Sequence, residues 1–269
     1  MDVSIIIPYY NAGNYLPDAI SSVRQLLRRT DISCEIVICD DGSTDPYSIE
    51  ILSGLEKEGL FTIARQPNKG PAAARNTAVK NSTGKYLVFL DSDNKLRERL
   101  VEKGIEILGS NKADVVYGNA AFFGESTKPL FTQGELNIPL LMARNYIDMC
   151  AIVRREVWET TGGFDEGEEL RKGQEDWDLW LRAIKAGFRF LYVDEVLFDY
   201  RVRAASLTND DSLERYNKAR EYIYSKHPDF FKQSFFWLSD QLYAYQQDKR
   251  TPFRSFFKYL YLKYFKGGK

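Results

Sequence analysis

Val3–Ile7 is a short apolar run closed by Pro8 and a loop, Tyr9–Gly13, the pattern of a buried strand that delivers a loop. Leu16, Ile20, Val23 and Leu27 then recur at helical spacing. Glu35–Cys39 is a second β-rich run, stopped by Asp40-Asp-Gly-Ser-Thr-Asp45, a cluster that does not continue a strand. Phe61–Ala64 predicts a third strand, followed by Gly70-Pro71 and an Ala-rich helix through Lys80. Lys85–Leu90 predicts a fourth strand ending at Asp91-Ser92-Asp93, and Leu96–Leu108 has helical periodicity. Strands and helices alternating in this way predict an α/β fold with a mostly parallel central sheet flanked by helices, its ligands bound where loops leave the carboxyl ends of the strands.

After Ala113–Gly118 the alternation ends, and residues 119–146 read as loops and short helices. Glu175–Ala186 recovers a helix, with Trp177, Trp180, Leu181 and Ile184 on one face and Gly187 as its stop. Phe188–Val193 and Val196–Val202 read as two further strands. Beyond Ser206 the chain reads as helices rich in Tyr and Phe.

The 269 residues, 44% hydrophobic and 28% charged, supply a full core, so disorder is excluded. Lys+Arg 37 against Asp+Glu 38 gives a net charge of -1 and no global pull toward nucleic acid. The charge is unevenly spread. From Lys249 to Lys269 there are seven Lys/Arg and no acid, so that segment carries +7 and residues 1–248 carry 30 − 38 = −8. Cys34, Cys39 and Cys150 are too few and too irregular for a disulfide framework or a zinc site. No positively charged leader with an apolar segment opens the chain and no apolar run approaches the ~20 residues of a membrane span, so a cytoplasmic protein is expected.

Polar clusters sit at the strand ends. Asp91-Ser92-Asp93 places two carboxylates where a divalent cation and diphosphate oxygens can meet, or where a helix is capped. Asp40 and Asp41 offer acceptors to a nucleobase imide or to ribose hydroxyls, although Asp-Gly-Ser is also ordinary turn chemistry. Asn68-Lys69-Gly70 with Arg75 supplies cations for phosphates, or a solvated helix face. Glu175-Asp176 opens a helix, where carboxylates complement the dipole, and beside Trp177 and Trp180 one of them is also a candidate base for an acceptor hydroxyl. No Gly-x-Gly-x-x-Gly follows the first strand and no Walker A sequence occurs.

In order, Ile5-Ile-Ile-Pro-Tyr-Tyr-Asn11, Asp40–Asp45, Asn68-Lys-Gly-x-x-x-Ala-Arg-Asn76, Leu90-Asp-Ser-Asp93, Gly162-Gly-Phe-Asp165 and Glu175-Asp-Trp-Asp-Leu-Trp180 resemble the motifs of family 2 glycosyltransferases of the GT-A fold, over roughly residues 2–208. The resemblance implies an inverting transferase that moves a sugar from a nucleoside-diphosphate donor, with UDP the expected nucleotide, to an acceptor hydroxyl in cell-surface polysaccharide or glycolipid synthesis. It places Pro8 and Tyr10 against the base and Asp41 in hydrogen bonding to it, with Asn11, Asp40, Asn68 and Ser92 in the same nucleotide pocket. Arg75 then approaches the diphosphate, Asp91 lies near the ribose or the metal, Asp93 binds Mn²⁺ or Mg²⁺, Asp176 is the catalytic base and Glu175 helps hold the acceptor. It also divides the chain into a catalytic domain, 1–208, with a nucleotide-binding half (1–110) and an acceptor-binding half (111–208), and a helical extension, 209–269.

One departure stands out. Many relatives carry a metal-binding histidine where Tyr200-Arg-Val-Arg-Ala-Ala-Ser206 has Arg203, and the only histidine here is His227. Arginine pairs with phosphate but does not bind a cation, so Arg203 is expected either to neutralise the diphosphate beside the metal or to weaken metal binding. The basic, aromatic segment within 249–269 suits either the anionic inner face of the cell membrane, with a lipid-linked acceptor, or packing on protein. Oligomeric state is left open. Two other readings are a metal-dependent nucleotidyltransferase, which would normally show a Gly-rich basic loop after the first strand, and an inactive nucleotide-sugar-binding protein.

Overall fold

The computed structural model describes residues 1–125, 130–171, 173–203 and 213–265. Nine strands form one sheet: β1 (Val3–Tyr9), β2 (Cys34–Asp40), β3 (Phe61–Arg65), β4 (Tyr86–Phe89), β5 (Lys95–Leu96), β6 (Val115–Gly124), β7 (Leu130–Phe131), β8 (Ile152–Arg154) and β9 (Phe190–Val202). The order is β3-β2-β1-β4-β8-β6-β9-β5, with β7 on β6. β1, β2, β3 and β4 pair in parallel, as do β6 and β9, whereas β8, β5 and β7 make short antiparallel ladders. The sheet is therefore mostly parallel, as expected, with antiparallel insertions in its second half.

Alternation along β1 explains why helices cover both faces. Val3, Ile5 and Ile7 join a core with Leu16, Ile20 and Val23 of α1 (Leu16–Arg29) and Leu100 of α4 (Glu98–Gly109). Ile6 points the other way, into a core with Ala72 and Ala74 of α3 (Pro71–Lys80) and Trp177 and Trp180 of α7 (Glu175–Lys185). Pro8 does not end β1. It lies two residues past the last β4 partner, Ile6, and pairs only toward β2, at Cys39, so the β1–β4 ladder is untouched by its missing N–H. Between β2 and β3 runs α2 (Pro46–Lys57), whose first turn is capped by Asp45 accepting from the Ser48 N–H at 2.8 Å.

Two sequence expectations change. Residues 119–124 continue β6 rather than forming a loop, and the short helices are α5 (Ile138–Ala143) and α6 (Arg155–Thr161). The two strands expected at 188–202 are one, β9. Its register against β6 jumps from Gly118↔Val193 to Asn119↔Val196, so Asp194 and Glu195 form a bulge inside a single strand. The Asn119 amide and the Tyr192 hydroxyl both donate to Asp194 at this point, at 3.0 and 2.9 Å.

Beyond the sheet lie α8 (Leu213–Lys226), α9 (Pro228–Arg250) and α10 (Pro252–Phe265), the helical extension expected from sequence. The domain boundary at 208/209 and residues 204–206 of the arginine motif lie outside the described residues. No helix among the described residues is long and apolar enough to cross a membrane.

Candidate active site

The loops leaving β1 and β2 are stitched together before any ligand is considered. Asn11, in left-handed backbone conformation at φ 46°, accepts from the Thr44 and Asp45 N–H groups at 2.9 Å each. Asp40 accepts from the Ser43 N–H. Asp41, almost fully buried, accepts from the Gln66 amide and from the Lys69 and Gly70 N–H groups at 2.7–2.9 Å, tying β2 to the loop that starts α3. Pro8 is buried, while Tyr10 is about half exposed at the rim. Asn68 is exposed and accepts from Arg171 through both its carbonyl and its side chain, at 3.0 Å each.

Arg75 is not on a solvated helix face. Only 5% of its side chain is exposed, and its guanidinium bridges Asp91 Oδ1, at 2.6 Å, and Glu175 Oε1. Burial disfavours its charge, but Asp91 and Glu175 outweigh that and hold its proton more firmly than usual. Glu175 is buried with Oε2 unpartnered. Asn76, next along α3, binds the Gly162–Asp165 segment: its amide donates to the Phe164 carbonyl, and it accepts from the Phe164 N–H and Trp158 Nε1. A Cβ on Gly163, at φ +80°, would stand 2.6 Å from Asn76 Oδ1, which explains the second glycine of that motif.

At the end of β4, Arg203 Nη2 pairs with Asp93 Oδ2 at 2.7 Å and its guanidinium lies 4.6 Å from the Tyr15 ring centroid. The Arg201 side chain donates to the Asp93 carbonyl and to Asp18, and its backbone N–H donates to Asn94 Oδ1 at 2.9 Å. Neither arginine is exposed to solvent as a free strand residue: 14% of the Arg201 side chain and 28% of the Arg203 side chain is accessible. Burial, then Asp91, raises the Asp93 carboxyl above its usual range, with Arg203 only partly opposing.

Asp176 keeps part of its surface open to a cleft of about 380 Å³ that Asn145, Asp148, Gln174, Arg201 and Arg203 also line. It accepts from Asn145 Nδ2 at 2.9 Å and from the Trp177 N–H at 2.8 Å. Burial, then Glu175 and Asp148, pushes its carboxyl up to about 8. Asp148 was missed in the sequence reading. Burial and Asp91 push it up to about 7, and it accepts from the Cys150 N–H. A lone acid between apolar Ile147 and Met149 was the available signal. Gln174, in left-handed conformation at φ 75°, starts α7 and holds Oε1 buried and unpartnered.

The tryptophans do not face the cleft. Both are fully buried, Trp177 Nε1 donating to the Leu141 carbonyl and Trp180 Nε1 to that of Ile147. Aromatic walls come instead from Phe122, Phe131, Tyr146 and Tyr200.

Among the described residues no three or more His, Cys, Asp and Glu side chains gather as a metal cage. Asp91 and Asp93 nevertheless offer the hard carboxylate oxygens that Mg²⁺ or Mn²⁺ accepts, leaving further coordination positions to phosphate oxygens. Burial, and after it the Asp91 charge, raises both Asp93 and Asp148, and a cation relieves the second of these, so this donor set fits a metal completed by its ligand.

The family model for glycosyl transferase family 2 matches residues 4–162. The chain belongs to that family. It is 30% identical over 213 residues to the putative teichuronic acid biosynthesis glycosyltransferase TuaG of Bacillus subtilis, covering 77% of this chain and 82% of TuaG. An uncharacterized glycosyltransferase of Rickettsia felis is 35% identical over 190 residues, 66% of this chain but 29% of that protein, so the chain spans under a third of this relative's length. Among solved structures, S. aureus TarS 1-349 in complex with UDP-GlcNAc superposes with a TM-score of 0.63 at 19% identity, covering 81% of this chain and 64% of that one. That match supports the GT-A-type fold.

Proposed function

We propose that this family 2 glycosyltransferase moves a sugar from a UDP-linked donor to an acceptor hydroxyl with inversion, in the synthesis of a cell-surface polysaccharide or glycolipid. The observation that carries the reading is Asp176: a carboxyl at the start of α7, open to the cleft, oriented by Asn145 and raised toward neutral pH. A base with affinity near the working pH takes a proton effectively. The names of TuaG and of the TarS complex with UDP-GlcNAc favour a polysaccharide product and a UDP donor.

In this mechanism the acceptor O–H gives its proton to Asp176 as the oxygen attacks the anomeric carbon, and the bond from that carbon to the phosphate oxygen breaks, the electron pair leaving with UDP. Asn145 and the Trp177 N–H hold the Asp176 carboxylate in place. Arg75 orients Glu175 and Asp91 at once, fixing the acceptor side against the donor side. Mn²⁺ or Mg²⁺, when bound, would be held by Asp93 and Asp91 and would supply charge to the departing diphosphate. Asp41, Asp40, Asn11 and Asn68 build the nucleotide side by tying its loops together, with Pro8 and Tyr10 at the end of β1 and Ser92 between Asp91 and Asp93 after β4.

Calorimetric titration with UDP, GDP and CDP, each with Mn²⁺ and with EDTA, tests the donor site. Metal-dependent UDP binding that Asp93→Ala abolishes is the expected result, and failure of every nucleoside diphosphate to bind sinks the reading. Arg203→His is expected to make UDP binding depend more steeply on Mn²⁺ and to weaken it in EDTA, because a ligand replaces a fixed cation. An unchanged ratio of the two affinities would show that Arg203 takes no part in charge balance at the donor site.

A further inference from the structure

We infer that α9 and α10 form a docking surface for an anionic lipid membrane. Successive residues of a helix are turned by about 100°, so the position of each α9 side chain around the axis follows from its number. Phe235, Leu238, Leu242 and Tyr245 share one arc, with Phe236 and Tyr243 on its flank, together covering roughly a half-circle. All six are exposed, five of them by between 57% and 66%. The cations of this helix, Lys232, Lys249 and Arg250, fall on the same arc. Its acids, Asp229, Asp240 and Asp248, fall on the other side, together with the buried Ser234 that packs on the body.

The next helix repeats the arrangement. Ser255 is its buried side and donates to Asp248 at 2.6 Å, which turns that acid inward. Opposite it stand Phe253, Phe256 and Phe257, exposed by 81%, 60% and 64%, flanked by Arg254. Aromatic side chains among cations, with no acid on the outward arcs, match an interface whose other partner is apolar and negatively charged. A second copy matches poorly, because a two-fold contact through these arcs would set cations against cations. The remaining body, at −6 over residues 1–227, is repelled by the same lipid, so contact is confined to this end of the molecule.

This inference is independent of sugar transfer. It is tested by flotation of the full chain with vesicles of phosphatidylcholine alone and of phosphatidylcholine with phosphatidylglycerol, alongside light scattering without lipid. Binding to the phosphatidylglycerol vesicles, weakened by salt, is expected. Lys249→Gln, Arg250→Gln and Arg254→Gln together should weaken it about 100-fold. Phe256→Ser with Phe257→Ser, both at exposed positions, should weaken it while leaving the thermal melt unchanged. Absence of flotation, equal binding to both vesicle types, survival of binding in both variants, or a dimer in light scattering that the phenylalanine variant dissolves would each overturn the inference. Failure here leaves the nucleotide titrations untouched, and failure there leaves flotation untouched.

Discussion

Asp176→Asn is expected to lose about 10³-fold or more in turnover while becoming more stable than the wild type at alkaline pH. The activity loss follows from removing the proton acceptor that faces the cleft beside Asn145. The gain in stability follows from linkage. An ordinary aspartate ionises near ~3.9 in the unfolded chain, whereas burial, Glu175 and Asp148 push Asp176 up to about 8 in the folded protein. Between those values the folded state binds more protons than the unfolded state, so stability from this group is full below pH ~4 and is lost as pH rises through about 8. Asparagine carries no such charge and keeps an acceptor for one of the two donors now on Asp176. The variant should therefore be at least ~2 kcal/mol more stable at pH ~9, and nearly equal to the wild type near pH ~4. The same ionisation sets the wild-type rate profile. Below about 8, kcat/KM should rise close to tenfold per pH unit, then level off, because the base must be unprotonated to act. Melting curves at both pH values and a rate profile check both halves. A variant that is inactive and also destabilised at alkaline pH would show that the Asp176 charge is compensated in the fold, and would remove the physical ground for its basicity.

The first half of the sheet was readable because β-branched runs at 3–9 and 34–40 are largely buried and stop at polar clusters, while 61–65 is a short edge strand buried at Phe61. The second half was harder. Asn119-Ala-Ala121 carries no alternation of its own, and it is strand because β9 lies alongside and because Asn119 finds partners in Asp194, Gln133 and Tyr192. Long-range pairing of this kind leaves no local period. Asp194-Glu195 looked like a break between strands for the opposite reason: a bulge uses the residue types of a turn while the ladder continues on either side.

The candidate site divides in the same way. Motifs at the ends of β1, β2 and β4 name Asn11, Asp41, Asp91 and Asp93 directly, since each stands where a buried run ends. What they do not reveal is which acids are spent on the fold. Asp41 places both carboxylate oxygens on its own chain, and Arg75 lies between Asp91 and Glu175, which are 16 and 100 residues away from it along the sequence. Trp177 and Trp180 stand beside two acids in the sequence, but their helical spacing is that of a core face, and they are buried, leaving the cleft walls to Phe131, Tyr146 and Tyr200. Asp148 belongs to no helix or strand, so only the folded chain shows it meeting Asp91 and Asp176.

Arg75→Met should cost about 3–5 kcal/mol of stability at neutral pH, the largest structural effect expected of a single substitution in the site. Methionine nearly matches the volume and leaves the apolar stem packed against Phe164, whose ring centroid lies 5.5 Å from the guanidinium. What disappears is the one buried cation between Asp91 and Glu175, in a region where Asp148 and Asp176 are already short of positive charge. Two carboxylates then stand close without a partner, at a penalty that ionised groups feel and protonated ones do not. Acid supplies the missing positive charge as protons, so the deficit should shrink toward pH ~5 and widen toward pH ~8. Arg75→Lys tests geometry separately. An ammonium keeps the charge but lacks the planar fork that reaches both acids at once, so most of the stability should return while donor binding and turnover stay impaired. Thermal melts of both variants across that pH range, with UDP titrations beside them, make the comparison. Equal melting of wild type and Arg75→Met at pH ~8 would mean that the two acids find other partners, and that Arg75 does not join the donor and acceptor sides of the cleft.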